Sequence, residues 1–247
     1  MITSKQNALI KEIRSLRDKK FRDRLGVFVV EGIKPIKEAL DNGLDIRNLI
    51  VSEEKADCFQ NHLDNLEVVS SAVFDYISEE VTPQGALAVV NKPQNVLCAP
   101  LSKCILLDGV ADPANVGAII RTAAASGYKD VYMTADCADA YSQKAVRASM
   151  SGIFRVNVMR GERVELLSTI NAPLIVADMD GENVFDFSLN GKFCLVIGNE
   201  GKGVSQTVRE RADYVVSIPM ENGVESLNAA VSAGILMYEL SRSGKQI

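Results

Sequence analysis

The chain has 247 residues, of which 47% are hydrophobic and 24% charged, and its formal net charge is −5. This composition suits one or two α/β domains with ordinary cores. It excludes a membrane protein, since no apolar run approaches the roughly 18 residues of a spanning helix. The five cysteines form no C-x-x-C pair, which argues against structural zinc and favours a reduced, cytoplasmic protein. The single histidine, His62, lies in a polar stretch that predicts an exposed loop, so we expect no histidine-based mechanism.

Basic residues are concentrated at the N-terminus. Residues 1–24 carry eight Lys and Arg against three Asp and Glu, in a chain that is acidic as a whole. Leu9, Ile13 and Leu16 recur at i, i+4 and i+7, which predicts an amphipathic helix with a basic outer face. That face is either an ordinary solvated surface or a contact with nucleic-acid phosphates, and we favour the second interpretation. The candidate RNA-binding residues on it are Arg14, Arg17 and Lys20.

From Val27 onward, strand-like and helical segments alternate over about 90 residues. Strands are predicted at VFVVEG, IRNLIVSE, EVVS and GALAVV, and helices at IKPIKEALDNG, EEKADCFQNH and SAVFDYISEE. Such alternation is typical of a small α/β/α domain. Residues 91–102 contain two prolines and little hydrophobic periodicity, which predicts a linker and places the domain boundary near residue 95.

The second half begins with the strand-like segment KCILLDGV, followed by a predicted helix. Asp112 or Asn115 can cap this helix, Pro113 suits its first turn and Gly127 can end it. One face is an apolar stripe suited to packing on a sheet. On the other face Arg121 stands among small residues, which favours a close-packed junction over an ordinary surface position. Further strands are predicted at DVYMT, FRVNVM and PLIVADM.

The last quarter contains two more strands, Phe193 to Ile197 and Tyr214 to Ile218, which both end in polar loops. Ligands of open α/β sheets bind outside the carboxyl ends of strands. The loop GNEGKG fits neither a P-loop, since Lys202 is followed by Gly and Val, nor a dinucleotide fingerprint, since Gln206 replaces the third glycine. Its glycines predict a close backbone approach or positive φ. A sharp strand-to-helix turn would explain them equally well.

Three blocks of sequence resemble the motifs of the SpoU (TrmH-like) RNA ribose 2′-O-methyltransferases, which belong to the SPOUT superfamily. The blocks are Asn115-x-Gly117-x-x-x-Arg121-Thr122-Ala123, then Leu195-Val196-Ile197-Gly198-Asn199-Glu200-Gly201-x-Gly203, and finally Ile218-Pro219-Met220 followed by Ser226-Leu227-Asn228-x-Ala230-x-Ser232. Each block alone is weak, but their order and spacing together are specific. The segment FVVEG and the Glu38-Ala39-Leu40 run resemble the substrate-binding domain of the same family.

The resemblance implies an α/β fold with two domains. Residues 1–95 would form a small L30e-like α/β/α domain that binds the RNA substrate. Residues 103–247 would form the SpoU methyltransferase domain, a SPOUT domain with a deep trefoil knot around a mostly parallel sheet. The resemblance further implies S-adenosylmethionine as cofactor, a homodimer, and ribosomal or transfer RNA as substrate, with no metal and no membrane. Small residues along the last helix, among them Ala233 and Gly234, permit close packing within the knot or between subunits.

Site residues follow from the same blocks. Arg121 is the predicted catalytic residue, and it would stabilise the developing alkoxide of the ribose, because a guanidinium stays protonated and is a poor base. The predicted positioning residues are Asn115, Glu200, Ser226 and Asn228. The predicted cofactor-binding residues are Ile197, Gly198, Gly201, Ile218, Met220 and Leu227. Backbone groups in this set would recognise adenine between apolar walls.

Two functions of other classes stay open at this point. One is a non-catalytic RNA-binding module or assembly factor that keeps the knotted fold, which intact Arg121, Glu200 and Asn228 argue against. The other is a nucleotide-dependent enzyme such as a dehydrogenase, which the failed glycine fingerprints argue against. The sequence does not indicate which RNA or which nucleotide is modified.

Overall fold

The computed structural model describes residues 1–59, 65–221 and 226–243. His62 therefore lies outside the described residues. The front part of the chain contains helices and strands in the order α1 (Ala8–Ser15), α2 (Lys19–Leu25), β1 (Val27–Glu31), α3 (Ile33–Asp41), β2 (Ile46–Ser52), β3 (Leu66–Val69), α4 (Ser71–Ile77) and β4 (Ala86–Asn91). Its four strands form one sheet in the order β1-β4-β2-β3, in which only β2 and β3 run parallel.

The rear part is larger. Its elements are β5 (Cys104–Asp108), α5 (Pro113–Ser126), β6 (Asp130–Thr134), α6 (Gln143–Ser149), β7 (Asn157–Gly161), α7 (Arg163–Thr169), β8 (Leu174–Asn183), β9 (Cys194–Gly198), α8 (Gln206–Arg209), β10 (Tyr214–Ser217) and α9 (Ala229–Ser243). Its six strands form an all-parallel sheet in the order β10-β8-β9-β5-β6-β7. The predicted α/β architecture with a mostly parallel sheet is therefore confirmed.

Helix α5 has the caps and the two faces that its sequence predicts. The Asp112 side chain accepts a hydrogen bond from the Ala114 N–H, so Asp112 is the N-cap, and Gly127 ends the helix in the left-handed conformation at φ +81°. The apolar stripe is fully buried in the core. Packing of α5 against α6 and α9 places it at the centre of the rear part.

Two sequence predictions about helices were wrong or incomplete, and two further helices were not predicted. The N-terminal amphipathic helix is two helices, because Asp18 caps a second helix after a break at residues 16–18. The segment beginning at Glu53 forms a 3-10 helix, Glu53–Phe59, before the chain leaves the described residues. Helices α6 and α7 were not predicted, because each is only two turns long and lacks a long apolar period.

A buried ion pair joins the front and rear parts. The Arg22 guanidinium on α2 lies 2.5 Å from the Asp139 carboxylate and donates to the carbonyl oxygens of Leu16 and Arg17 at 2.7 and 2.8 Å. Both side chains are largely excluded from water, so each charge depends on its partner. Beside them the rings of Phe28 and Tyr141 pack with their centroids 5.1 Å apart.

The predicted linker packs against the rear part. The Asn95 side chain donates to the Val158 carbonyl oxygen at 3.0 Å, and the Tyr132 hydroxyl donates to the Cys98 carbonyl oxygen at 2.7 Å. Among the described residues, no helix is long and apolar enough to cross a membrane.

Candidate active site at the ends of the central strands

The glycine-punctuated loop after β9 is a tight turn stabilised by its own backbone. Asn199 and Gly203 exchange two backbone hydrogen bonds of 2.9 Å, and the Asn199 side-chain oxygen accepts from the N–H groups of Gly201 and Lys202 at 3.0 Å. The Asn199 amide also donates to the Gly109 carbonyl oxygen at 2.7 Å, which ties the turn to the end of β5. The loop is therefore held beside the carboxyl ends of the two central strands.

Two of its glycines are required by this turn. A Cβ on Gly198 would lie 2.3 Å from the Gly203 carbonyl carbon, and Gly203 has a φ of +68°. The alternative of a sharp strand-to-helix turn thus accounts for both. Gly201 differs, because a Cβ there would meet nothing closer than the Asn199 side-chain oxygen at 3.8 Å. Its predicted contact with a cofactor stays a prediction.

Three predicted site residues meet in one hydrogen-bonded cluster. The Asn115 amide donates to Glu200 Oε1 at 2.9 Å, and the Asn115 side-chain oxygen accepts from Asn228 Nδ2 at 2.9 Å. Asn228 also accepts from the N–H groups of Ala230 and Val231, so it caps α9. The buried Asn115 therefore connects α5, the loop after β9 and the start of α9.

Glu200 is held as a carboxylate. Desolvation of its side chain alone would raise its pKa, but hydrogen bonds from the Ala111 N–H, the Asn115 amide and the Asp112 N–H outweigh this effect and lower the pKa. Three donors converge on its two oxygens, so Glu200 orders the loop between β5 and α5. This arrangement does not favour proton uptake by Glu200.

Arg121 is on α5, and its exposed side chain has no hydrogen bond or ion pair with any residue that the structure describes. The close-packed junction predicted for this face is made by the backbone of α5 and not by the Arg121 side chain; at Gly117, one turn earlier, a Cβ would lie 2.3 Å from the Ala145 carbonyl oxygen on α6. Arg121 itself therefore combines a fixed backbone with an available guanidinium. Its distance from Asn115 along the helix axis is about 9 Å, from six residues at 1.5 Å each.

The remaining predicted residues come from segments that follow β10 and precede α9. Ile218, Met220 and Leu227 are half-buried, and their backbone N–H and C=O groups form no hydrogen bond with any other described residue. Ser226 is exposed, and no described residue is hydrogen-bonded to its side chain. Ile197 is buried at the end of β9. This set combines apolar side chains with backbone donors and acceptors that are not engaged by the part of the chain described in the structure.

A charged network next to this cluster was missed by the sequence analysis. Asp108, fully buried at the end of β5, accepts from Arg163 Nε and from the Ser205 N–H, both at 2.7 Å. Arg163 also donates to Asp136 at 2.5 Å, and this contact, with that to Asp108, raises the pKa of the guanidinium. The signal was an aspartate placed directly after an apolar strand. The network fixes the far end of the loop that starts at Gly198.

Two of the three candidate RNA-binding cations have protein partners. Arg14 donates to the Tyr76 carbonyl oxygen at 2.6 Å, and Arg17 donates to the Ser78 carbonyl oxygen and lies 3.2 Å from Glu79. Both arginines thus neutralise the C-terminal end of α4. Lys20 is exposed, with no ion pair to a described residue. Contact of this surface with RNA stays a prediction.

No group of three or more His, Cys, Asp or Glu in the described part of the chain is arranged to hold a metal ion. A cavity of about 560 Å³ lies between α5, α9 and Phe185, and its walls include none of the candidate site residues.

Comparison with protein families gives two matches. Residues 102–238 match the model of the SpoU rRNA Methylase family, and residues 7–88 match the model of an MRM3-like substrate binding domain. The first match covers more than half of the chain and contains the glycine loop, the Asn115 cluster and Arg121.

Individual proteins match along nearly the whole chain. The 23S rRNA (guanosine(2553)-2′-O)-methyltransferase RlmP of Bacillus subtilis is 31% identical, and the alignment covers 97% of this chain and 98% of that protein. The 23S rRNA (uridine(2479)-2′-O)-methyltransferase of Streptomyces viridochromogenes is also 31% identical, over 90% of this chain and 84% of that protein. The crystal structure of the SpoU methyltransferase AviRb from Streptomyces viridochromogenes in complex with AdoMet has a TM-score of 0.86 at 29% identity, over 96% and 98% of the two chains.

Proposed function

The chain belongs to the SpoU rRNA methylase family, and on that premise we propose that Arg121 and the Asn115 cluster form its active site. The protein is an RNA methyltransferase that transfers a methyl group from S-adenosylmethionine to a ribose 2′-hydroxyl. Two relatives that align over most of their length are named for 23S ribosomal RNA, so we infer ribosomal RNA as the first substrate to test, ahead of transfer RNA.

The residues present fit the cofactor. Adenine needs donors and acceptors within apolar surroundings. The backbone groups of Ile218, Met220 and Leu227, which pair with no other described residue, would supply them beside half-buried side chains. Ile197, Gly198 and Gly201 would form the adjoining wall at the end of β9. S-adenosylmethionine, when bound, supplies a methyl group activated by its positively charged sulfur. The protein has then to bind it, exclude water and orient the ribose.

Arg121 carries the proposal, because its guanidinium has no hydrogen bond or ion pair with the described residues while its helix is fixed by neighbours. A permanently charged guanidinium stabilises the negative charge that develops on the ribose 2′-oxygen as its proton leaves. It does not accept that proton, since it is effectively always protonated. Glu200 is a poor acceptor too, because Ala111, Asp112 and Asn115 already donate to it.

The positioning residues hold the loop after β9 and the start of α9 in a fixed arrangement around the site. Asn115 fixes Glu200 through one hydrogen bond and Asn228 through another, so the loop after β9 and the start of α9 share one anchor. We assign Ser226 to the same set because its exposed hydroxyl lies two residues before Asn228. Small errors in such positioning lower the rate of transfer strongly.

We infer that residues 1–95 form the RNA-binding domain, L30e-like in fold, and that residues 103–247 form the methyltransferase domain. The match of residues 7–88 to a substrate-binding domain supports the first assignment. A trefoil knot in the rear part is supported by the strand order, in which β8 and β10 lie beyond β9 and α9 returns to pack on α5. The cytoplasm, where RNA is modified, is the proposed location.

A homodimer is proposed through α9. Ala233 and Met237 of the predicted small-residue stripe are already buried within this chain, so they do not supply a free surface. A second stripe on the same helix remains exposed, with Val231 at 51% and Tyr238 at 57% of their accessible area. Both are apolar or aromatic and share a helical face at i and i+7. Together with Phe185 they offer the apolar surface that a second subunit would cover.

Methyl transfer to bulk RNA tests the proposed function. The protein is incubated with S-adenosylmethionine labelled in the methyl group and with ribosomal or transfer RNA from a strain that lacks this gene. We expect label in RNA and, after nuclease digestion, a 2′-O-methyl nucleoside by mass spectrometry. The same RNA from the parent strain is the control and should accept little label. Absence of label in both RNA classes, with a folded protein that binds S-adenosylmethionine, would contradict the proposal.

A further inference from the structure

A strained segment follows α6 and lies directly under Arg121. Met150 and Ser151 have φ values of 45° and 62°, and they are the only non-glycine residues with positive φ in the described part of the chain. Gly152 comes next and starts a short 3-10 turn that ends at Phe154. Such a conformation costs free energy in L-residues, and it persists only where the surroundings impose it. Strain of this kind clusters at functional sites.

Gly152 is in contact with the backbone of Arg121. A Cβ built on Gly152 would lie 2.8 Å from the Arg121 Cα and 3.2 Å from its backbone nitrogen. No side chain fits between these two backbones without displacing one of them. One turn earlier on α5, Gly117 packs with the same closeness on the Ala145 carbonyl oxygen of α6. The segment from α6 to the 3-10 turn therefore holds the face of α5 that carries Arg121 at two points.

The same segment is fixed from the front part of the molecule. The buried Ser151 hydroxyl donates to the carboxylate of Glu38 on α3 and lies 2.5 Å from the Met150 carbonyl oxygen. On α6, Arg147 forms an ion pair with Glu80. Both acidic partners belong to the part that we assign to RNA binding. A continuous path of contacts thus runs from Glu38 through Ser151 and Gly152 to the backbone of Arg121.

We propose that Ser151 and Gly152 are positioning residues for methyl transfer, which set the location of Arg121 relative to RNA held by the front part. This inference rests on the proposed role of Arg121. Neither residue touches the reacting atoms in this account. Their effect passes through the backbone of Arg121, so it vanishes when the guanidinium is absent.

A double-mutant cycle tests the proposal, with Gly152→Ala made in the wild-type protein and in the Arg121→Ala variant. Turnover at saturating bulk RNA is measured with labelled S-adenosylmethionine, and calorimetry measures affinity for the cofactor. In the wild-type background we expect turnover to fall about tenfold or more with cofactor affinity unchanged, as a small displacement of a catalytic group does. In the Arg121→Ala background the same substitution should change turnover less than twofold.

Ser151→Gly is a second variant that tests the proposal if Gly152→Ala does not fold. It removes the contact with Glu38 and also the strain at position 151, because glycine adopts positive φ freely. We expect a melting temperature close to that of the wild type together with a severalfold lower turnover, a combination that a purely structural role would not produce. Wild-type turnover in a folded Ser151→Gly protein would overturn the proposal.

The possible outcomes separate this inference from the proposed function. Equal losses from Gly152→Ala in both backgrounds would show that it acts independently of Arg121, and normal turnover of a folded Gly152→Ala protein would show no effect. Either result would overturn the positioning role alone. Full turnover of Arg121→Ala would overturn the positioning role and the assigned role of Arg121 together.

Discussion

Asn228 donates to the side-chain oxygen of Asn115 across 113 residues of sequence, at a distance of 2.9 Å. Asn115 in turn donates to Glu200, so one buried amide satisfies partners on two other segments. A buried amide with both ends engaged is costly to replace, because an apolar side chain in its place would remove the hydrogen bonds to Glu200 and Asn228 together. Asn115 thus stabilises the arrangement of the site, whereas stabilisation of the developing negative charge is assigned to Arg121.

Glu200 should contribute stability that depends on pH. Its pKa is lowered on folding, so its contribution is complete above the pKa of about 4.3 for a free glutamate. It is lost as the pH falls from there toward the lower folded pKa. The difference in unfolding free energy between the wild type and Glu200→Gln, measured in urea, should therefore be largest near pH 7 and shrink below pH 4.5. A difference that grows on acidification would contradict this linkage.

Asp108→Asn should destabilise the protein and loosen the loop after β9. Asparagine keeps one acceptor, but its NH₂ group would face either the Ser205 N–H or Arg163, which are both donors. We expect a loss of about 2 kcal/mol, the scale for hydrogen bonds to charged groups, and weaker binding of S-adenosylmethionine by calorimetry. The exposed Asp180→Asn variant is the control and should change stability by less than about 0.5 kcal/mol. If the two variants were equally stable, Asp108 would not have the stabilising role that we assign to it.

Arg121→Ala should bind S-adenosylmethionine normally and lose turnover by a factor of roughly 10², as when one oxyanion donor is removed. Arg121→Lys should recover little if the contact is bidentate, since lysine lacks the planar fork. Lys129→Ala, an exposed cation just after the end of α5, is the matched control for lost positive charge. A rise in KM with unchanged kcat would instead assign Arg121 to substrate binding.

Lys20 offers a cleaner test of RNA binding than the two arginines beside it. Reversing Arg14 or Arg17 would also place a carboxylate against the carbonyl oxygens at the end of α4, so stability would fall together with any RNA contact. Lys20→Glu should weaken RNA binding and reduce the slope of log K against log salt by about 1, with no change in melting temperature. Lys192→Glu, at the amino end of β9 and away from the candidate site at the carboxyl ends of the strands, should leave the slope unchanged. An unaltered slope for Lys20→Glu would mark the α2 surface as merely solvated.

The exposed stripe on α9 predicts the effect of a charge on oligomeric state. Light scattering should give about twice 26.8 kDa for the wild type and a monomer for Tyr238→Glu, because a carboxylate buried in an apolar interface is strongly disfavoured. Val164→Glu, at an exposed position on α7, should leave the mass unchanged. A wild-type monomer at micromolar concentration would contradict the homodimer.

Local signals predicted most of the strands and the whole of α5. Buried strands such as β5 and β9 are continuous apolar runs, and Asp112 and Gly127 are strong cap residues. The short helices α6 and α7 carry weaker signals, because their positions are set by packing on other elements. The segment that fixes Arg121 was therefore invisible from the sequence, although Arg121 itself was identified.

The site was predicted as a set of residues and not as a set of contacts. Asn115, Glu200 and Asn228 were assigned to one shell, but their pairing depends on three segments that only the folded sheet brings together. The glycines show the converse limit. The loop glycines allowed two interpretations, a close approach of the backbone to a ligand or a sharp turn, and in the fold Gly198 and Gly203 are needed by the turn itself. A glycine in the sequence indicates that a side chain does not fit at that position, but it does not show whether a ligand or the protein backbone fills the space.

The buried pair of Arg22 and Asp139 restricts how the two sheets can be exchanged between relatives. A hybrid that takes the front sheet from one protein and the rear sheet from another would inherit only one of the two charges unless both parents carry them. An orphaned ion at that depth costs several kcal/mol. The front sheet therefore cannot be exchanged between relatives without regard to the residue at position 139. Specificity for a new RNA would have to be grafted together with the complementary charge at position 139.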